Sequence, residues 1–166
     1  MVKTSPAYAI VIALTAFSMT GVSAMAQRGR ATVSPRMIVS QRNPSLAINA
    51  WEGARPGTIL RLHNGCQPTN ADCTWTFRGG MIVSDRNARL AVNAWGGAQP
   101  GTVLRLSDQC QPSNPDCTWT FRNNMFISNR DPSLAITAAG GTLFGAVLRL
   151  DRVSTSNTRD SLWSWR

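Results

Sequence analysis

The 166-residue sequence predicts an all-β domain built from three copies of one four-stranded unit. Three observations carry this. The phrase "CQPTNADCTWTF" (66–77) returns forty-four residues later as "CQPSNPDCTWTF" (110–121), and the same register then reads "STSNTRDSLWSW" (154–165). The repeats 37–80, 81–124 and 125–166 align without a gap. No segment has a helical period of useful length, whereas each repeat holds four short runs rich in Ile, Val, Thr and aromatics.

In repeat one the strand candidates are "MIVS", "LAINAW", "TILRLH" and "CTWTF". They are separated by "RNP", "EGARPG" and "NGCQPTNAD", which is turn chemistry. Repeats two and three write the same order, for example "PGTVLRL" and "FGAVLRL" for "PGTILRL". A propeller would want roughly four or more blades. An open solenoid would want capped ends and would leave sheet edges exposed. Three repeats of this length suit a closed structure with pseudo-three-fold symmetry, the β-trefoil.

The chain before the repeats reads as a leader. Residues 1–26 have the layout of a secretory signal peptide: Lys3, the apolar run "AYAIVIALTAF", and "AMA" ending at Ala26 as the cleavage site. An uncleaved anchor is the alternative, but the apolar run is short for a membrane span. Residues 27–36 look like a flexible polar lead-in. A mature chain of about 140 residues is enough for one domain with a sizeable core. The expected location is secreted or periplasmic.

The formal charge is +9, and subtracting the one charge of Lys3 leaves +8, carried entirely by arginine. A basic exported chain points to acidic partners such as sialylated or sulfated glycans, against the alternative of ordinary solvated surface charge. No nucleic-acid motif is present, so nucleic acid is not an expected partner. Membrane contact is expected only through surface glycans. The one histidine, His63, is not repeated, and no activated nucleophile, metal cluster or phosphate loop can be read. The reading is therefore of a non-enzyme without cofactor or metal.

Four cysteines in an exported chain imply disulfides. Cys66 and Cys73 map onto Ser154 and Ser161 in repeat three, while repeat two keeps both, as Cys110 and Cys117. Residues that come and go together are most simply partners, which pairs Cys66 with Cys73 and Cys110 with Cys117. A four-cysteine zinc site is the alternative, but the spacing lacks the C-x-x-C knuckle. Within the repeated phrase, Trp75, Trp119 and Trp163 alternate with Phe77, Phe121 and Trp165 in a way that puts all six on one face. They are expected to fill the centre of the fold.

The whole repeated region resembles ricin B-type lectin domains. The family's "C-L-D-V", "G-T-x-V-Q-L-W" and "Q-x-W" elements appear here as "LAINAW", "GTILRLH" and "CTW". The glutamine of the last motif is replaced by Cys73, Cys117 and Ser161, and the family's own bridge is absent because its first cysteine has become Ala47. The resemblance implies one shallow sugar site per repeat, at Asn49, His63 and Asp72 in repeat one and at Asn93, Ser107 and Asp116 in repeat two. Repeat three offers Thr137, Asp151 and Asp160. The family's stacking aromatic is missing from all three.

The residues offer a replacement. Asn49 and Trp51 lie two apart on one strand and share a face, with Leu46, Ile48 and Ala50 toward the core. Asn93 and Trp95 repeat the pair, whereas repeat three has Thr137 and Ala139. An exposed indole beside an amide is a sensible sugar-binding pair. The alternative packs Trp51 and Trp95 against a neighbouring loop. Asp72 and Asp116 would bond sugar hydroxyls or cap a turn. Arg61 and Arg105, with Arg149, would hold an anionic group, line a solvated strand, or pair with a nearby Asp. The expectation is a glycan-binding protein with sites on repeats one and two. The alternatives are a receptor-binding or structural subunit of a multi-component bacterial toxin, similar to the trefoil subunits of cytolethal distending toxin and contacting partner subunits, or a trefoil protease inhibitor.

Overall fold

The computed structural model describes Met1, residues 35–153 and residues 158–166. The three repeats lie in one compact unit, Thr32–Arg166. Apart from Met1, the expected signal peptide lies outside the described residues, as does the lead-in up to residue 34. Among the described residues no helix is long and apolar enough to cross a membrane.

This unit is all-β. Repeat one forms β1 (Arg36–Ser40), β2 (Ala47–Ala50), β3 (Leu60–His63) and β4 (Thr74–Arg78). Repeat two forms β5 (Met81–Ser84), β6 (Ala91–Ala94), β7 (Leu104–Ser107) and β8 (Trp119–Arg122). Repeat three forms β9 (Met125–Ser128), β10 (Leu134–Ala138), β11 (Leu148–Arg152) and β12 (Trp163–Trp165), with a 3₁₀ turn at Thr158–Ser161. All pairings are antiparallel.

Two kinds of hairpin make the trefoil. The first and fourth strands of the repeats join around a barrel: β1 pairs with β4 and β12, β4 with β5, and β8 with β9. The ring is completed by Trp119 N–H donating to Gly80 O (2.7 Å) and Trp163 N–H to Asn124 O (2.7 Å). The middle strands form three cap hairpins, β2–β3, β6–β7 and β10–β11. These touch one another cyclically through the bridges Ile59 to Arg105, Arg61 to Val147 and Val103 to Arg149.

One glycine per repeat explains how the caps meet. Gly57, Gly101 and Gly145 sit at φ 84°, 88° and 79°, a conformation costly to residues with a Cβ. The turn aims each N–H at a leucine carbonyl of another repeat: Gly57 at Leu106 (2.7 Å), Gly101 at Leu150 (2.8 Å) and Gly145 at Leu62 (2.8 Å).

The core lies on the three-fold axis. Trp75, Trp119 and Trp163 are buried, and each indole N–H donates to a carbonyl of its own second strand: Ile48 (3.0 Å), Val92 (3.4 Å) and Ile136 (3.0 Å). That pairing removes the cost of burying an indole N–H. Phe77, Phe121 and Trp165 are half-buried around Phe126, with ring centroids 6.0, 4.6 and 5.7 Å from it. The six aromatics therefore share one face, three deep and three at the barrel mouth.

Both expected bridges form, Cys66–Cys73 and Cys110–Cys117. They tie each β3–β4 or β7–β8 loop over the outer face of the second strand. In repeat three Thr137 and Ser161 stand where Asn49 and Cys73 stand in repeat one, and their hydroxyls hydrogen-bond at 2.8 Å. Ser154, the counterpart of Cys66, lies outside the described residues.

Candidate functional site

The outer face of the cap hairpins carries the expected site residues, but not as an open strand face. Asn49 is only 8% exposed, because the bridged loop covers it. Its Nδ2 donates to Asp72 O (3.3 Å) and to Cys73 Sγ (3.2 Å). Asn93 does the same with Asp116 O (3.4 Å) and Cys117 Sγ (3.1 Å), and is half-buried. The amide nitrogens thus anchor the bridged loops, and among the described residues the amide oxygens have no hydrogen-bond partner. The two-residue period puts Asn49 on the face away from the core, as expected, and a bridged loop lies over that face.

The two tryptophans differ. Trp95 is 50% exposed. Trp51 is half-buried against a ring from another repeat, since its centroid lies 5.7 Å from that of Phe144 and 5.7 Å from that of His63. The Arg61 guanidinium lies over the indole at 5.5 Å. Asn49, Trp51, Glu52 and His63 line a shallow depression of about 350 Å³. On its other side Trp51, Glu52, Arg55, Thr58, Arg61 and Arg105 line a second one of about 290 Å³.

The repeated charged residues mostly hold repeats together. Arg61 Nη1 donates to Gly145 O (3.0 Å) and Arg105 Nη1 to Gly57 O (2.9 Å), so each arginine fastens a turn of the adjacent cap hairpin. Arg149 lies 3.6 Å from Asp151. Asp72 takes a two-point contact from Arg86, at 3.1 and 2.8 Å, and accepts from Ala54 N–H at 3.2 Å. Asp116 takes the same two-point contact from Arg130, at 3.1 and 2.8 Å. Asp160 accepts from Arg42 (2.8 Å) and Thr142 (2.7 Å). Each pair joins the end of one repeat to the start of another. The Arg130 hydrogen bond holds the Asp116 carboxyl below its ordinary range. Sequence reasoning missed Arg42, Arg86 and Arg130, although they recur at the same forty-four-residue spacing as the arginines it did single out.

The architecture places the chain among the β-trefoils, the fold of the R-type lectins. No family model matches the sequence, and no curated protein does. Solved structures do. The C-terminal half of an earthworm R-type lectin, solved in complex with GalNAc, superposes with a TM-score of 0.65 at 16% identity, over 80% of this chain and 98% of that one. A mutant of the same lectin domain was solved with 6'-sialyllactose. The β-trefoil lectin of the Vibrio vulnificus hemolysin/cytolysin, solved with N-acetyl-D-lactosamine bound, gives 0.60 at 12% identity, over 80% and 93%. ThreeFoil, a designed three-fold symmetric protein, gives 0.65 at 11% identity, over 80% and 97%.

Proposed function

We propose that this is an exported carbohydrate-binding protein that engages glycans through shallow sites around Trp51 in repeat one and Trp95 in repeat two. The observation that carries the reading is Trp95, a large indole left half exposed at the same register as Trp51. An indole in that position presents a flat apolar face to the C–H groups of a sugar ring. Asn49 and Asn93 supply amide oxygens next to the two rings, and their nitrogens are already occupied. Repeat three, with Ala139 in place of the indole, closes the fold without a site. The lectins that superpose on the chain support a glycan as ligand class.

An acidic component in the glycan is supported by the charge of +8 that remains once the one charge of Lys3 is subtracted from +9, and by Arg55, Arg61 and Arg105 around the second depression. Leu143 and Phe144, 66% and 56% exposed, favour a second reading, in which the trefoil is the cell-binding part of a toxin assembly and this apolar pair meets a partner subunit. A glycan-array screen of the purified protein at low and high salt tests the first reading. Neutral glycans should bind independently of salt, and acidic ones should bind more weakly as the screening length shortens from about 10 Å at 0.1 M to about 3 Å at 1 M. An array without a binder contradicts the reading.

A further inference from the structure

Several departures from the repeat symmetry gather beside Trp51. Repeat one has Glu52 at φ 63° where repeats two and three have Gly96 and Gly140, at φ 88° and 75°. A left-handed non-glycine residue is costly and concentrates at functional positions. Repeat one also has His63 where the others have Ser107 and Asp151. Repeat three has Leu143 and Phe144 where the others have Arg55 with Pro56 and Gln99 with Pro100.

Glu52 and His63 line the Trp51 depression, and Phe144 packs against the Trp51 and His63 rings. The His63 and Phe144 centroids are 5.2 Å apart, and each is 5.7 Å from Trp51. Gly65 N–H donates to His63 Nδ1 at 2.8 Å, which puts the ring proton on Nε2 and leaves that N–H free to donate. Two rings, a carboxylate, an amide and an imidazole donor therefore line one shallow hollow, and Phe144 packs against both of those rings at its margin. Around Trp95 there is no second ring among the described residues, and the corresponding positions are Gly96, the buried Ser107 and Pro56.

We infer that the repeat-one site is a composite completed by Phe144 of repeat three, and that it holds a hexopyranose more tightly than the repeat-two site does. The inference rests on the glycan reading above. The sugar lays C–H groups on the Trp51 ring and its edge against Phe144, whose ring stands at 59° to the indole. Its hydroxyls donate to the Glu52 carboxylate and the Asn49 oxygen, and accept from His63 Nε2–H. Phe144 thus adds a second aromatic contact from across a repeat boundary, and the two sites are unequal.

The test is a calorimetric titration of full-length variants with a panel of neutral methyl hexosides (galactoside, N-acetylgalactosaminide, glucoside and mannoside). Trp95→Ala isolates the repeat-one site and Trp51→Ala the repeat-two site. The Trp95→Ala chain should bind its best hexoside more tightly than the Trp51→Ala chain does. Adding Phe144→Ala should weaken the Trp95→Ala chain by about ten-fold and leave the Trp51→Ala chain unchanged. Phe144→Trp should retain affinity. Gly65→Ala, whose Cβ would meet His63 Cε1 at 2.8 Å, should displace the imidazole and weaken the repeat-one site alone. Phe144 is 56% exposed, so melting temperatures should not move. Equal affinities at the two sites, or a Phe144→Ala effect within about two-fold, would overturn the composite site and leave the glycan reading standing. A panel in which no hexoside binds removes both.

Discussion

Removing one bridge from a trefoil whose third repeat lives without one has a calculable cost. Consider Cys110→Ser with Cys117→Ser. The bridge closes a loop with a sequence separation of 7. The chain-entropy model assigns such a loop about 2.4 kcal/mol at 25 °C. For a domain of about 130 residues, with an unfolding entropy near 2.1 cal/mol/K per residue, that corresponds to a fall of about 9 °C in Tm. Cys66→Ser with Cys73→Ser should cost the same, and all four substitutions roughly twice as much, because the bridges lie in different repeats. In repeat three the comparable fastening is the buried Thr137–Ser161 hydroxyl pair. Thr137→Val leaves Ser161, 6% exposed, without that partner and should cost about 1–3 kcal/mol. Thermal and urea unfolding of the four variants measure these losses. A four-serine variant melting within about 2 °C of the parent would mean that the loops are ordered without their bridges and that the bridges contribute no such stability.

Two further outcomes follow from the same geometry. Asp116→Asn should cost about 1 kcal/mol near neutral pH through the weakened Arg130 contact. Because the folded carboxyl titrates below its ordinary 3.8, this stability is fully present above that value and is lost as pH falls through the lower folded one. The gap between variant and parent, read by urea unfolding, should therefore be constant above about pH 5 and close in acid. Gly101→Ala should destabilise by about 1–2 kcal/mol although nothing lies within 4 Å of the added Cβ, since the cost is that of holding alanine at φ 88°. A neutral result in thermal unfolding would mean that the turn can relax without losing the Gly101 to Leu150 bond.

The fold was legible because its symmetry is written in the chain. Four short apolar runs per repeat, at one spacing, leave few architectures that close with three units. The disulfides were legible for the same reason: Cys66 and Cys73 vanish together in repeat three. The site was legible only in part. Alternation along β2 says which face Asn49 takes, not that the Cys66–Cys73 loop lies over that face. The contact of Trp51 with Phe144 depends on how cap hairpins are ordered around the axis, which no local pattern encodes. The pairs of Asp72 with Arg86 and Asp116 with Arg130 were within reach, since both partners recur. Their signal was the recurrence of the arginine two residues after each repeat's first strand.

The proposed function rests on the indole faces of repeats one and two holding a glycan. It is tested most directly by calorimetric titration of the parent protein and of the Trp51→Ala, Trp95→Ala double variant with the best binder from the array. On that reading the parent should bind saturably at a stoichiometry of about two, which on a multivalent surface would give avidity well above either site alone. The double variant should show no measurable binding while still unfolding cooperatively, at a melting temperature lowered by loss of the half-buried Trp51 ring. Undiminished binding by the double variant would contradict the proposed function.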